Sequence, residues 1–567
     1  MASRVRRREL REIADFAPRL HPVLRRVYAA RGVETEAELD LSLERLAPVS
    51  SLAGVEAAAL LLAAHRNGRV IIVGDFDADG ATSTALMVRA MRALKFAHVD
   101  FLVPNRFRFG YGLTPEIVQL AAIRNPSLIV TVDNGVSSIA GVRTARELGI
   151  PVLITDHHLP GAQLPEAEVI VNPNLSGSQF ASPALAGVGV AFYVMAALAR
   201  LIGEGGVRVA DWLDLVALGT VADVVPLDRN NRILVAQGLK RIRAGRCVAG
   251  IRALMLAAGR DLQGVTAADL GFAAGPRLNA AGRLDDMSVG IECLLSDDGG
   301  SATRIAEELS NLNSERRNIE QRMQEEAVIL ADEQRLTLSD EAGLCLFDES
   351  WHQGVVGLVA GRIKERLHRP VIAFARGEGA LRGSARSIPG IHIRDVLDGI
   401  ATRHPDLIDK FGGHAMAAGM SLKEANLPAF RAAFAEEVAL RANEELLTGV
   451  VYSDGALADA ELSLETAQTL REAGPWGQGF PEPVFDGEFE IRDLKVVGEK
   501  HLKLQVRPFE STAPLEAIAF GYIGGVDEDP DLKVGARLEI AYRLEVNEYR
   551  GLARLQLNCQ HLARSRC

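Results

Sequence analysis

Residues 70–80 read VIIVGDFDADG: an unbroken β-branched run, a glycine, then aspartates at alternate positions, Asp75, Asp77 and Asp79. A short apolar run with no polar alternation, closed by a turn signal and followed by a longer helix-compatible segment, is the pattern of a strand buried on both faces. Two further stretches repeat it. LIVTVDNG at 128–135 ends in Asp133, and VLITDHH at 152–158 ends in Asp156, His157 and His158; Val169–Asn172 reads as a fourth strand. Helical patterns separate these runs, which predicts an α/β unit with a parallel sheet covered by helices on both faces. The carboxyl ends of such strands open into one crevice, so these side chains should converge although they lie far apart in sequence.

Convergence of so many carboxylates is costly. Unpaired, they repel one another and raise each other's pKa, and bound divalent cations are the natural compensation. Asp223, in LVALGTVADVVPL, follows an apolar helix-like run and is read as a further ligand from across the crevice. Mixed oxygen and imidazole ligation suits Mn²⁺, with Mg²⁺ as a substitute at the oxygen-rich position. Two ions fit the ligand count better than one, and a pair suits in-line phosphoryl displacement. Any single aspartate, such as Asp79 before Gly80 or Asp133 before Asn134, could simply cap a helix or form a turn. The whole set, with adjacent histidines directly after a strand, favours a metal centre. Asp156 reads as orienting its neighbours from behind.

Outward from this core, the 567 residues exceed what one hydrophobic core serves, and 48% hydrophobic with 24% charged residues is a globular composition. Ser301–Arg335 is polar and almost free of glycine and proline, which predicts a long connecting helix. A second α/β unit is predicted over Leu344–Leu440, with strands Leu344–Phe347 and Val371–Phe374 and a glycine-rich turn at Phe411–Gly413. Five strand candidates follow, Phe489–Val497, Leu502–Val506, Leu515–Phe520, Leu538–Val546 and Arg554–Cys559, as in a small closed barrel of the OB type. Five cysteines without a CxxC pair read as free thiols in a reducing compartment. No signal peptide is recognised, and the longest apolar run, Ala186–Ala199, falls short of the roughly 20 residues of a membrane span. The expected location is therefore the cytoplasm, with no membrane partner.

The net charge of −11 argues against a nonspecific polyanion binder, yet its distribution is uneven. Residues 1–32 carry nine arginines against three acids, and residues 362–394 carry eight Lys/Arg against two, +6 in each case. Such segments can follow a phosphate backbone. The alternative is a pair of solvated helix faces, the favoured reading for the N-terminal arm.

GDFDADG, VDNG, TDHH and GTVADVVPL, in this order, resemble the successive motifs of the DHH phosphoesterase superfamily, and GGHAMAAG at 412–419 resembles its DHHA1 companion domain. VPNR (103–106), GPRLNAAGR (275–283), WHQGVVG (351–357) and GSARSI (383–388) narrow the resemblance to its subfamily of bacterial single-strand-specific exonucleases. The resemblance implies a basic N-terminal segment (1–48), a DHH catalytic domain (49–295), a connecting helix (296–336), a DHHA1 substrate-binding domain (337–445) and an OB-like barrel (446–567). It implies a catalytic, metal-binding set of Asp77, Asp79, Asp133, His157 and Asp223, with Asp75 as a less certain ligand. His158 is implied to contact the scissile phosphate or assist proton transfer, the alternative being a core histidine bonded to a carbonyl.

Phosphate contacts are implied at Arg106, Arg277, Asn279, Arg283, Ser384, Arg386, Gly413 and His414. Arginine offers forked donors to phosphate oxygens; the alternative for Arg277 and Arg283 is capping of helix C-termini or pairing with Asp285 and Asp286. Trp351 and His352 could stack on a base, although a buried core tryptophan is the commoner explanation. The implied activity is 5′ to 3′ degradation of single-stranded DNA to mononucleotides in recombination and repair. The implied protein is a monomer, with single-strand-binding protein and a helicase as partners. Two rival readings are a small-substrate hydrolase acting on pyrophosphate, cyclic dinucleotides or short oligoribonucleotides, which would lack the barrel, and a nonenzymatic replication scaffold, which would have lost ligands.

Overall fold

A computed structural model of the chain describes residues 4–9, 20–105, 109, 111–203, 206–337, 342–377, 379–443, 445–509, 513–523, 528–529, 532–549 and 552–565. Arg106 and Cys567, both singled out by the sequence, lie outside the described residues. After a first short strand, β1 (Arg4–Arg7), the chain builds a sheet from β2 (Arg69–Val73), β3 (His98–Leu102), β4 (Leu128–Val132), β5 (Val152–Thr155) and β6 (Val169–Val171). The order is β3-β2-β4-β5-β6 and every pairing is parallel. Val70, Ile72, Val130 and Leu153 pack into one hydrophobic cluster, while Ile71, Val73, Ile129 and Ile154 pack into another. Alternate side chains on each strand thus enter different cores, which is why the strands lack polar alternation. The sequence reading missed β3, an edge strand whose His98 is exposed and whose Asp100 is half-buried. The apolar run 186–199 forms most of the helix Gly187–Ile202, largely buried in the same core. Among the described residues no single helix is long and apolar enough to cross a membrane.

The connecting helix runs from Gly299 to Thr337, 39 residues or about 58 Å at the usual rise. It leads to a second sheet of β7 (Leu344–Phe347), β8 (Val371–Arg376), β9 (Leu381–Arg386), β10 (Lys410–Gly413) and β11 (Ala417–Leu422), in the order β10-β11-β9-β8-β7. Only β7 and β8 are parallel. Phe411–Gly413, predicted as a turn, is part of edge strand β10, and the reversal falls on 414–416.

β12 (Val450–Ser453) precedes a closed barrel of β13 (Phe485–Val497), β14 (His501–Pro508), β15 (Leu515–Ala519), β16 (Arg537–Tyr549) and β17 (Leu552–Arg564). Four of the five predicted barrel strands are longer than expected. Bulges at Ile491/Asp493 and Ala541/Tyr542 shift the phase of alternation within two of them, so no single period covers the whole strand.

Among the described residues, Arg4, Arg7, Arg8 and Arg31 of the N-terminal segment are held by acids and form neither a solvated helix face nor an open phosphate track. β1 pairs in parallel with β12. Arg7 holds Asp486 through Nε (3.1 Å) and a terminal nitrogen (2.7 Å), and Arg4 lies 3.3 Å from Glu445. Arg31 binds both oxygens of Asp454 at 2.8 and 3.0 Å, with Arg8 3.6 Å away. These four arginines thus staple the start of the chain to the barrel and the strand before it. Within 362–394, Arg362 pairs with Glu320 (3.2 Å) and Arg376 with Glu424 (3.0 Å), so part of that positive charge is also internally compensated.

Candidate active site

β2 delivers Asp75 at its carboxyl end. Two residues on, Asp77 caps the helix Ala78–Ala93, its Oδ1 accepting from Gly80 N at 3.0 Å. Asp79, in the first turn, is buried and accepts from the backbone of Gly187 (2.6 Å) and Val188 (2.9 Å) at the start of the next core helix. β4 ends at Asp133, whose φ of +61° is unusual for a residue with a side chain. Strain of this kind costs on the order of 1–3 kcal/mol and persists only where the surroundings over-determine it. Here buried Asn134 fixes the turn by donating to Val132 O (2.9 Å) and Val73 O (3.2 Å), while Thr131 Oγ1 donates to Asn134 O (2.7 Å). Asp223 stands at the C-terminal end of the helix Leu213–Ala222.

These elements converge on His157. Its Nε2 lies 3.1 Å from Asp133 Oδ1, 3.5 Å from Asp223 Oδ2 and 4.0 Å from Asp79 Oδ2. Asp75, Asp77 and Asp133 form an adjoining group in which one oxygen of each lies within 4.8 Å of the others. Asp133 Oδ1 and His157 Nε2 are both buried without a hydrogen-bond partner. Burial, and then the charge of Asp77, push Asp79 up to about 7. Burial and neighbouring aspartates likewise hold Asp133 and Asp223 well above the usual carboxylate range. Burial and then His158 bring His157 down to about 4. A neutral imidazole with an unengaged nitrogen, facing carboxylates that resist ionisation, is the donor set a divalent cation relieves. Asp75, Asp77, Asp79, Asp133, His157 and Asp223 therefore fit a metal centre.

Asp156 does not join this cluster but holds it from behind. It accepts from Val136 N (2.9 Å), His157 N (2.7 Å) and His158 N (3.1 Å), and it lies 2.7 Å from His158 Nδ1. Burial is the largest single influence and would raise Asp156, but the bond and charge of His158, the Val136 N–H and the charge of His157 together outweigh it, and the carboxyl sits low. Burial likewise opposes a charged His158, yet Asp156, Asp75 and Asp77 together raise its pKa. His158 is thus bonded to a carboxylate, not to a core carbonyl through its ring.

Several participants carried no signal that the sequence reading used. Asn174 donates to His157 O (2.6 Å) and Asn172 to His158 O (2.8 Å), so the VNPN stretch at the end of β6 clamps the histidine pair. Tyr111 donates to Asp133 O (3.1 Å) and places its hydroxyl 3.2 Å from His158 Nδ1. Gly187 lies so close to Asp133 that a Cβ there would stand 2.7 Å from the Asp133 Cβ. Asn-Pro-Asn patterns ordinarily mark turns, and a glycine at a helix start advertises nothing.

The expected phosphate-binding residues fall into two groups. His414, from the second sheet's edge, stacks on His158 with centroids 6.1 Å apart and an interplanar angle of 18°, so the second domain reaches the cluster directly. Gly413 beside it has φ +147° and leaves no room for a Cβ against Ala418. On β9, Arg386 donates to Ser384 Oγ at 2.9 Å, and Gly357 leaves space for both side chains. Others hold the scaffold. Asn279 Oδ1 accepts from Ala78 N (2.8 Å), fixing the helix that carries Asp79. Arg277 donates to Ser310 Oγ (2.9 Å), Ala273 O (2.7 Å) and Ala257 O (3.4 Å), the last at a helix C-terminus. Arg283 donates to Gly354 O (3.1 Å), linking the two domains. Trp351 is buried and donates to Glu326 (2.9 Å), so it is a core residue and not a base platform. The four described cysteines form no disulfide.

Comparison with known proteins accords with this architecture. The DHH family N-terminal domain matches residues 69–220, the DHHA1 domain 340–440 and the RecJ OB domain 453–561. The chain is 54% identical over 566 residues to the single-stranded-DNA-specific exonuclease RecJ of Escherichia coli, covering 98% of each. The crystal structure of RecJ from Thermus thermophilus in complex with Mn²⁺ superposes with a TM-score of 0.81 at 30% identity, over 97% of this chain and 76% of that one. The Mg²⁺ complex of the same enzyme gives 0.74 at 28% identity, over 97% and 75%. With all three domains matched in order and near-complete alignment to curated relatives, the chain belongs to the RecJ family of single-stranded-DNA-specific exonucleases, within the DHH superfamily.

Proposed function

We propose that the chain is a metal-dependent exonuclease that degrades single-stranded DNA from the 5′ end to mononucleotides, in recombination and repair. The observation that carries this reading is the approach of Asp79, Asp133 and Asp223 to one unengaged imidazole nitrogen, with His414 of the second domain facing the same crevice. Two divalent ions, Mn²⁺ in preference to Mg²⁺, are assigned to Asp75, Asp77, Asp79, Asp133, His157 and Asp223. When bound, they supply Lewis-acid activation of a phosphodiester toward water. His158, whose pKa Asp156 raises against the opposing effect of burial, is assigned to donate a hydrogen bond or a proton to the reacting phosphate. Tyr111 and Asp156 fix its ring.

On the strand side, Gly413, His414, Ser384 and Arg386 are assigned to phosphate contacts, together with Arg106. Arg277, Asn279 and Arg283 are assigned to shaping that surface from the catalytic domain. The proposed setting is a cytoplasmic monomer working with single-strand-binding protein and a helicase. The test is Mn²⁺-dependent digestion of long single-stranded DNA labelled at either end, beside Asp133→Ala and a duplex control. Early release of mononucleotide from the 5′ label, late loss of the 3′ label, and inert mutant and duplex are expected. Early release from the 3′ label would overturn the polarity, and turnover by Asp133→Ala would overturn the site.

A further inference from the structure

Away from the crevice, a cavity of about 230 Å³ lies where the N-terminal helix, the catalytic domain and the linker to the barrel meet. Its wall includes Tyr28, Leu39, Leu41, Arg232, Glu472 and Phe480. Arg232 is 6% exposed, and its Nε is buried without a partner. Its guanidinium stacks over the Phe480 ring at 4.2 Å but makes no side-chain hydrogen bond or ion pair among the described residues. The acids whose fields reach it are committed elsewhere: Asp228 accepts from Ser182 (2.6 Å) and Asn231 N (2.9 Å), and Glu38 accepts from Thr35 (2.9 Å) and Glu34 (3.0 Å).

A buried cation without an anion is expensive, and proteins retain one where a partner completes it. Burial lowers the Arg232 pKa and outweighs the opposing influence of Tyr28, Glu38 and Asp228, in keeping with an incompletely compensated charge. We propose that this cavity binds a monoanionic carboxylate with an apolar body, the carboxylate on Arg232 and the body against Leu39, Leu41 and Phe480. The stacked guanidinium leaves its in-plane donors for a planar, two-oxygen acceptor. Glu472 on the same wall opposes a second negative charge, which disfavours a phosphate dianion. The volume lies below the roughly 300–1,000 Å³ of sites for drug-sized ligands, so the occupant is a fragment: a small aryl or alkyl acid, or the last residue of a peptide chain.

The test is calorimetric titration of the full chain with N-acetyl-phenylalanine, its amide, acetate, inorganic phosphate and a short peptide ending in phenylalanine. The acid is expected to bind at least about tenfold more tightly than the amide, as a charge-assisted contact implies. Acetate should bind more weakly than the acid, Arg232→Gln should lose the acid, and Glu472→Gln should tighten it. Tighter binding of the peptide than of the free acid assigns the site to a protein C-terminus; equal binding assigns it to a small-molecule acid. Equal affinity for acid and amide, preference for phosphate, or no heat with either acid would overturn the proposal. The acid–amide comparison on the unmodified chain decides it even where Arg232→Gln does not fold.

Discussion

Gly187→Ala places a methyl carbon 2.7 Å from Asp133 Cβ, 2.8 Å from its Oδ1 and 2.9 Å from its Cα. Ordinary contact begins at 3.4 Å, so the two must separate by about 0.7 Å (3.4 − 2.7). Asp133 has little freedom to yield, because its backbone sits at φ +61° and Asn134 anchors the turn to two strands. Either the carboxylate rotates away from His157, or the helix start retreats and loosens the Gly187 and Val188 bonds to Asp79. Misplacement by 1 Å costs a catalytic group on the order of 10²-fold, so kcat should fall by about 10–100-fold. The fold should survive. Alanine gains up to about 1 kcal/mol of helix propensity over glycine, against roughly 1–3 kcal/mol for overpacking. A net loss of about 0–2 kcal/mol lowers Tm by no more than about 8 °C in a domain of this size. The assay is Mn²⁺-dependent release of nucleotide from single-stranded DNA, paired with thermal unfolding. Gly361→Ala is the control, since nothing lies within 4 Å of a Cβ there, and it should leave the rate unchanged. A Gly187→Ala rate within twofold of the wild type would refute the claim that this contact positions Asp133.

Further expectations concern stability and proton balance. Arg31→Met leaves Asp454 buried with its principal partner gone; breaking such a pair should cost about 3–5 kcal/mol in urea unfolding, and a change below about 1 kcal/mol would show that Arg8 suffices. Asp214 is buried, and burial raises its pKa to about 6 from 3.8 despite the bond from Val248 N. The folded state therefore binds the extra proton between these values, and stability falls as pH rises through them, by about 3 kcal/mol in all. Asp214→Asn should match the wild type near pH 3 and exceed it at pH 8 in urea midpoints; an unchanged difference across that range would contradict the assignment. Because Asp79 holds a proton up to about pH 7 without a cation, adding Mn²⁺ to chelator-treated protein at pH 6 should release protons into unbuffered solution. No release would mean that the cluster does not take the ion.

The crevice was legible because its chemistry lies at strand ends. Asp75, Asp133 and Asp156 each follow a run whose apolar continuity announces a doubly buried strand, and the sheet's parallel order places them together without any tertiary information. β3 was illegible for the converse reason: an edge strand with His98 exposed has half the apolar signal of its neighbours. The residues that hold the site were hidden too. Asn172 and Asn174 act through side-chain amides on the carbonyls of His157 and His158, a long-range contact that a turn-like NPN leaves no trace of. Gly187 matters through the absence of an atom, which only the approach of Asp133 makes consequential.

Charge shows most sharply what composition leaves out. A count of arginines treats Arg7, Arg31 and Arg232 alike, and the +6 of the N-terminal segment invites a nucleic-acid reading. In the fold, Arg7 and Arg31 are neutralised by Asp486 and Asp454, two acids more than 400 residues away that a local count scores separately. Their excess is thus structural, because an arginine already bonded to a carboxylate has little left to offer a phosphate. Arg232 lies outside both basic segments and is unremarked by any motif, yet it is buried with no acid among the described residues bonded to it. The capacity to bind an anion therefore follows uncompensated charge, not total charge, and the junction beside the barrel has it in Arg232.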